Sequence, residues 1–360
     1  MTPRHDPDQL PPTLVTKNTN TIDRQEAEWN RFIMKLNKAR EESGDQAENG
    51  EMIGAAHFGR EGNVGHKKME TLARLVVGGV PMKLRHPIWM ELSNTYALMV
   101  PDAYEHYLSL RDSNDPKEIE AIQKDLPRTL TNNTDFYTNK GKERLRKVLV
   151  AFVGKYEDLG YTQGLNMVAG YLLLAIPAEE DAFWVLCNMV ENFFPPNYFS
   201  RDMPMSGPLA DSVVLRQYVK ELLPDLSRKM DEIDLATDHT VPLGWFMTAF
   251  ASVLDTDTLL RVWDVMLCLP NQRTFVFSAA LALLQMHSDK LMECDSPGSY
   301  LAYWDEARVV EADKVDDFIK LAFSPGFRKR ITAAGVDDKR KYLMKKVRKT
   351  ASTEALYSPE

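Results

Sequence analysis

Residues 165–176 read LNMVAGYLLLAI, and residues 183–194 read FWVLCNMVENFF. Both runs are apolar on nearly every side of a helix, which is typical of helices that other helices surround. The longest uninterrupted apolar run, from Met167 to Ile176, stops at Pro177 and is far shorter than the roughly 20 residues that cross a bilayer. We therefore predict a soluble chain with these two helices at the centre of its core.

Helical periodicity continues on both sides of this pair, from about residue 67 to about residue 323. Prolines and short polar turns separate the helical patterns, which cover residues 145–159, 209–230, 243–253, 258–267, 274–292 and 315–323. No alternating run is long enough to compete as a strand, so we predict an all-α fold. Four tryptophans within apolar patterns are predicted core residues: Trp89, Trp184, Trp245 and Trp263.

The chain begins with segments of different composition. Residues 1–20 contain four prolines and few large apolar groups, which predicts disorder. A helix is predicted from Thr21, with Asp23 as its N-cap, because apolar residues then recur on one helical face. Six glycines between residues 42 and 66 predict a flexible linker. The predicted segments are 1–20, 21–66, 67–323 and 324–360.

Composition narrows the class of protein. Of the 360 residues, 44% are hydrophobic and 27% are charged, and the net charge is −8. These values are ordinary for a globular chain, and the negative charge argues against general nucleic-acid binding. The three cysteines are odd in number and lie in apolar surroundings, so we predict reduced core thiols in a cytoplasmic protein.

Positive charge is concentrated near the end of the sequence. Between Arg328 and Lys349 there are ten Lys and Arg residues against two Asp residues. The favoured interpretation of residues 324–360 is a short, solvated basic helix and tail. The alternative is peripheral contact with an anionic endomembrane surface, where each basic residue contributes about 1 kcal/mol.

Common cofactor motifs are absent from the sequence. It contains no Gly-x-x-x-x-Gly-Lys-Ser/Thr loop, no Gly-x-Gly-x-x-Gly, no His-Glu-x-x-His and no Cys-x-x-Cys. These patterns hold phosphates, dinucleotides and metals. We therefore expect the chain to carry no nucleotide or metal cofactor of its own.

Residues 122–129 read IQKDLPRT. Pro127 disfavours helical geometry at Leu126, so a helix is predicted to end there and to present Arg128 on a loop. Asp125 is close enough to hydrogen-bond either the guanidinium or the backbone amides of the turn. The segment is therefore either a positioned arginine that donates its charge or an ordinary surface ion pair, and taken alone it favours the ion pair.

Residues 160–166 read GYTQGLN. Gly160 is predicted to close one helix in the left-handed conformation, which places Gln163 at or just before the start of the next. Free amides at such a helix end attract phosphate, and a carboxamide has both a donor and an acceptor for a water molecule. The alternative is a plain helix connection in which Gln163 caps backbone groups.

Together these two segments resemble the signature motifs of TBC domains, which act on Rab-family GTPases. The motifs are Ile-x-x-Asp-x-x-Arg and Tyr-x-Gln-Gly. The matching residues are Ile122, Asp125 and Arg128, and then Tyr161, Gln163 and Gly164. Further stretches resemble the same family: Gly79-Val80-Pro81 with Leu84-Arg85 and Trp89, Trp245-Phe246 with Phe250, and Leu260-Arg261-Val262-Trp263-Asp264. The resemblance spans residues 78–304.

The chain departs from the family pattern at two places. Thr131 stands where the family often has proline, on the path of the loop that carries Arg128. Leu269-Pro270 follows the Trp-Asp helix, where the family commonly has Glu-Gly.

The resemblance implies a TBC-domain fold of two helical subdomains with a groove between them. It also implies a GTPase-activating protein of vesicle trafficking without GTPase activity of its own. Its partner would be a GTP-bound Rab that carries GTP and Mg²⁺. Arg128 would act in trans as an arginine finger, and Gln163 would position the attacking water. The implied supporting residues are Asp125, Ile122, Tyr161, Gly164, Asn166 and Arg85. The alternative is a non-catalytic helical Rab-binding or scaffold module.

Overall fold

The protein is described by a computed structural model in which helices predominate. The described residues are 19–43, 51–54, 63–110, 115–131, 133, 136, 139–195, 198–199, 205–269, 274–306 and 309–343. No β-strand occurs among them, which confirms the all-α prediction.

The α-helices are numbered here in chain order. They are α1 (Thr19–Ser43), α2 (Asn63–Gly78), α3 (Met82–Leu92), α4 (Ala103–Ser109), α5 (Pro116–Asp125), α6 (Asn139–Lys155), α7 (Leu165–Ala175), α8 (Glu179–Asn188), α9 (Ser206–Leu222), α10 (Pro224–Glu232), α11 (Gly244–Met247), α12 (Thr256–Cys268), α13 (Phe275–Met286), α14 (Ser288–Glu293), α15 (Pro297–Glu306), α16 (Val315–Ala322), α17 (Pro325–Arg330) and α18, over residues 333–343.

These helices form two compact units. The first comprises the described residues of Met1–Phe194 and Asp255–Gln272, and the second comprises those of Pro195–Leu254 and Arg273–Glu360. In the first unit, α7 and α8 pack on each other, on α6 and on α3. Nearly all their side chains are buried, as their all-round apolar patterns predict.

The predicted core residues are buried as expected. The four tryptophans singled out from the sequence are all at most 1% exposed: Trp89, Trp184, Trp245 and Trp263. The three cysteines are buried and unpaired. Among the described helices, none is long and apolar enough to span a membrane.

Several predicted helix limits were wrong. The predicted helix 209–230 is divided between α9 and α10, because Pro224 begins a new helix. The predicted helix 243–253 shrinks to α11, because Ala249 and Phe250 take left-handed φ angles of 45° and 70°. Both residues are fully buried, so packing of their side chains overrides the local preference for a continuous helix.

The N-terminal predictions also need correction. Helix α1 begins at Thr19, two residues before the expected start, so Asp23 lies inside the helix and is not its N-cap. Apart from residues 19 and 20, the segment predicted to be disordered lies outside the described residues. The predicted linker is shorter than expected, because α1 continues to Ser43 and α2 starts at Asn63 with Gly65 inside it.

The described part of the predicted linker is anchored by Glu91 of α3. The Glu91 carboxylate accepts hydrogen bonds from the backbone N–H groups of Met52 (2.6 Å), Ile53 (2.9 Å) and Gly54 (2.6 Å). Ile53 is fully buried. The glycine content predicted flexibility, but residues 52–54 are held in place because one carboxylate satisfies their three successive backbone donors.

A buried ion pair ties α12 to the start of α3. Asp264 is fully buried and accepts two hydrogen bonds from the Arg85 guanidinium, at 2.9 and 3.0 Å. It also accepts from the Trp89 indole (2.8 Å) and from the backbone N–H of Val80 (3.0 Å). A buried charge is tolerated when it is paired and fully hydrogen-bonded, and Asp264 meets both conditions.

In the second unit, the basic helix α18 is not simply solvated. Arg340 binds the buried carboxylate of Asp211 on α9, with one contact of 2.7 Å. Lys339 binds Glu221 of α9 at 3.2 Å, and Val336 is fully buried. The prediction of a solvated helix was therefore wrong for these residues, because part of the local positive charge pairs with acidic groups of α9. Residues 344–360 lie outside the described part of the chain.

Replacing Asp264 tests the buried pair. Asp264→Asn keeps the shape of the side chain but leaves the Arg85 guanidinium without a facing charge. We expect the free energy of unfolding to fall by about 3–5 kcal/mol, measured by urea denaturation followed by circular dichroism.

Glu293→Gln is the control, because Glu293 forms an exposed pair with Lys290 at 3.0 Å and such pairs contribute little. A loss below about 1 kcal/mol for Asp264→Asn, the size of an average substitution, would contradict the assigned role of this pair.

Candidate functional site

Arg128 lies on a short turn at the end of α5. The α-helix ends at Asp125, and Leu126–Arg128 continue as one 3₁₀ turn. Leu126 keeps helical angles (φ −52°, ψ −47°), so the expectation that Pro127 would force it out of the helical region was wrong. The chain turns away only after Arg128, whose side chain is 59% exposed.

The carboxylate of Asp125 joins this turn to a second loop. It is 5% exposed and forms an ion pair with the Arg128 guanidinium. The Tyr161 hydroxyl donates a hydrogen bond of 2.6 Å to the same carboxylate. Of the two roles predicted for Asp125, the contact with the guanidinium is therefore the one observed.

Tyr161 is a hydrogen-bond donor over the whole working pH range. Burial of its phenol raises its pKa, and the hydrogen bond to Asp125 and the charge of that carboxylate raise it further. The phenol therefore stays protonated, and its O–H remains available to Asp125.

Gln163 lies on the loop that enters α7. Helix α6 ends at Lys155, several residues before Gly160, which nevertheless takes the predicted left-handed φ of 68°. Gly164 then caps α7 with a φ of 104°. Gln163 immediately precedes it and is exposed. Its carboxamide makes no hydrogen bond to any residue that the structure describes, which argues against the capping alternative.

The amides at the start of α7 are already occupied. The N–H of Gly164 donates to the side-chain oxygen of Asn166 at 3.1 Å, and the N–H of Leu165 donates to the Thr162 carbonyl at 3.1 Å. The expectation that these two amides are free to attract phosphate was therefore wrong. These two amides are therefore not available to an anion.

Asn166 forms a second link between the two loops. Its side-chain nitrogen donates to the Thr129 hydroxyl at 2.7 Å, and that hydroxyl donates to the Asp125 carbonyl at 2.7 Å. Asn166 and Thr129 are buried. Sequence reasoning missed Thr129, although a threonine directly after a helix end is a common source of such side-chain to backbone bonds.

A glycine of α7 makes room for the residues that directly follow Arg128. A Cβ atom on Gly170 would lie 3.0 Å from Leu130 and 3.2 Å from Thr129. Leu130 takes a φ of 49°, which is strained for a leucine. The missing side chain of Gly170 therefore allows the turn to pack directly on α7. A glycine inside an apolar helical pattern is the sequence signal that was available for this contact.

The remaining predicted site residues have structural roles. Ile122 is fully buried and holds α5 in the core. Arg85 is engaged by Asp264, as described above, and none of its observed contacts involves the two loops. The structure does not bring Arg85 to the other predicted residues. Gln163 lies on the same loop as Tyr161 and Gly164, and Asn166 follows in the first turn of α7. The predicted residues that lie together are Ile122, Asp125, Arg128, Tyr161, Gly164 and Asn166.

In the described ranges, no group of three or more His, Cys, Asp or Glu side chains is arranged to hold a metal ion.

Comparison with known proteins identifies relatives of this chain. The model of the Rab-GTPase-TBC domain matches residues 82–292. A TBC domain-containing protein of Schizosaccharomyces pombe is 30% identical over 335 residues, which cover 91% of this chain and 42% of that protein. Small G protein signaling modulator 3 of Bos taurus is 36% identical over 236 residues, which cover 64% of this chain and 31% of that protein. The chain therefore spans less than half the length of these relatives.

Solved structures support the fold. The crystal structure of the Chlamydomonas flagellar RabGAP TBC domain superposes with a TM-score of 0.64 and 21% sequence identity, over 87% of this chain and 97% of that chain. At this level of identity the similarity establishes the fold alone.

Gly164→Ala tests the geometry of the loop that carries Gln163, residues 156–164, called the glutamine loop below. An L-residue in the left-handed region is unfavourable by about 1–2 kcal/mol, so we expect the free energy of unfolding to fall by that amount in urea denaturation. Gly298→Ala is the matched control, because Gly298 lies exposed in α15 and an added Cβ there meets nothing within 4 Å. The control should be neutral or slightly stabilising. Equal effects of the two substitutions would contradict the loop geometry.

Proposed function

Because the chain belongs to the Rab-GTPase-TBC domain family, we propose that it stimulates GTP hydrolysis by a GTP-bound Rab-family GTPase. Arg128 acts as the arginine finger, and Gln163 positions the attacking water. GTP and Mg²⁺ are carried by the partner. The chain supplies side chains in trans and hydrolyses no GTP alone.

One observation carries the proposal. Two exposed side chains of complementary chemistry, a guanidinium and a carboxamide, project from loops that buried groups hold together. Asp125 binds both Arg128 and Tyr161, and Asn166 binds the backbone of Gly164 and the hydroxyl of Thr129. Loops braced in this way lose little conformational entropy on meeting a partner, which favours catalysis by positioning.

Arg128 suits the charge that develops during phosphoryl transfer. The transition state spreads negative charge over the phosphoryl oxygens, and isolated small GTPases stabilise it poorly. A guanidinium has five N–H donors in a planar fork. Asp125 contacts a terminal nitrogen, and the Arg128 side chain is 59% exposed, so N–H groups of the guanidinium remain available for phosphate oxygens. Asp125 thereby orients the arginine without occupying all of its N–H groups.

Gln163 suits the attacking water. A carboxamide accepts one hydrogen bond from the water through its oxygen and donates another through its nitrogen. Because Gln163 is exposed and uncommitted among the described residues, no existing contact has to break before it enters the partner's site. It takes over the task that a GTPase's own glutamine performs poorly alone.

Substitution of Arg128 tests the arginine finger. We expect Arg128→Ala and Arg128→Lys to lower stimulated hydrolysis by about 10³- to 10⁵-fold, because an ammonium cannot bridge two oxygens as a planar fork does. The measurement is single-turnover phosphate release from a panel of GTP-loaded Rabs.

Arg228→Ala is the matched control, because Arg228 is another exposed arginine paired with an aspartate three residues earlier. It should leave stimulation unchanged. Near wild-type stimulation by Arg128→Lys would exclude the finger, and binding of GTP-loaded Rabs by the wild-type chain without stimulation would favour a non-catalytic binding module.

Substitution of Gln163 tests the water-positioning role. Gln163→Ala should lower the single-turnover rate on the order of 10²-fold or more, the usual effect of removing one positioned polar group. The wild-type chain should still stimulate a Rab whose own catalytic glutamine has been replaced by alanine. If the Gln163→Ala defect appeared only with such altered Rabs, the water would be held by the GTPase's own glutamine and the assigned role would be wrong.

A further inference from the structure

We infer that Glu118 is a positioning residue for Gln163, an inference that rests on the function proposed above. The Glu118 carboxylate, in the first turn of α5, accepts a hydrogen bond of 2.5 Å from the backbone N–H of Tyr161. Glu118 belongs to neither signature motif. The contact therefore adds a residue to the site that the motifs do not contain.

Helix α5 holds Tyr161 at both ends. Its backbone N–H binds Glu118, and its hydroxyl binds Asp125 at 2.6 Å. Glu118 and Asp125 are seven residues apart, close to two turns of 3.6 residues, so they share one face of α5, with their Cα atoms about 10 Å apart along its axis. Tyr161 therefore lies against this face of α5, between the two carboxylates.

The backbone contact bears most directly on Gln163. The bond to the hydroxyl fixes the ring, but two side-chain torsions separate that hydroxyl from the main chain. The bond to Glu118 fixes the main chain itself, two residues before Gln163. A charged acceptor makes this bond short and strong. Glu118 thus sets the path of the loop into α7 and the point from which the carboxamide projects.

The two loops are positioned against the same helix. Asp125 holds Arg128 at one end of α5, while Glu118 holds the glutamine loop near the other. Removing Glu118 frees the glutamine loop but leaves the ion pair of Arg128 in place. We therefore expect poorer orientation of the water with little change in the affinity of the chain for its partner.

Three variants test this in single-turnover hydrolysis by a GTP-loaded Rab. Glu118→Ala should lower the maximal rate by about 10- to 100-fold, the effect of a small misplacement of a catalytic group. The chain concentration that gives half the maximal rate should not change. Glu118→Gln keeps an acceptor oxygen and should restore most of the rate. Glu120→Ala is the matched control, because Glu120 is exposed on the same helix and pairs with Lys124 at 2.7 Å.

Two kinetic results would overturn the inference. One is a wild-type rate for Glu118→Ala. The other is an equal loss for Glu118→Gln and Glu118→Ala, because the negative charge near the start of α5 would then matter and the bond to Tyr161 would not.

Hydrogen exchange of the free chain tests the contact without a GTPase. The Tyr161 amide should exchange faster in Glu118→Ala than in the wild type, Glu118→Gln and Glu120→Ala, and unchanged protection would overturn the inference. A wild-type chain that stimulates no Rab overturns the proposed function instead, and the exchange experiment then decides the contact alone.

Discussion

The buried carboxylate of Asp125 is the group on which the candidate site depends. A charge so nearly removed from water must be paired and hydrogen-bonded. Its partners come from two separate segments: Arg128 is three residues further along the chain, and Tyr161, which donates its hydroxyl, is 36 residues further along. Satisfying this one charge therefore orients the exposed arginine and fixes the ring of Tyr161. Because the pair is removed from solvent on the carboxylate side, it also holds its geometry better than an ordinary surface ion pair, which salt and solvent weaken.

Local sequence pattern predicted the elements and the loops, but not how the loops are joined. The apolar runs predicted α7 and α8, and Gly160 and Gly164 marked a loop that is left-handed at both positions. The bond from Asn166 to Thr129 and the bond from Tyr161 to Glu118 span 37 and 43 residues. Such pairings depend on which helices pack together, and no spacing within one segment encodes that. Arg85, which the family resemblance placed beside the site, has its partner Asp264 179 residues away, and no local spacing encodes that pairing either.

Single polar groups also overrode local preference elsewhere in the chain. Glycine density predicted a flexible linker, yet the Glu91 carboxylate captures three successive backbone donors at residues 52–54. Positive charge predicted a solvated terminal helix, yet Arg340 is committed to buried Asp211. In both cases the free energy of satisfying a buried or half-buried charge exceeds the small preferences of the segment. Composition therefore identifies a segment as glycine-rich or basic, but it does not say whether the segment is flexible and solvated or held by contacts with the rest of the fold.

We propose that Arg128 and Gln163 converge on one triphosphate. The most direct measurement is a crystal structure of the chain with a Rab bound to GDP, Mg²⁺ and aluminium fluoride, which imitates the phosphoryl group in transfer. We expect the guanidinium and the carboxamide within about 2.7–3.2 Å of the fluoride ligands and the in-line water. A complex in which either side chain points away from the nucleotide, or in which the GTPase's own glutamine holds that water, would contradict it.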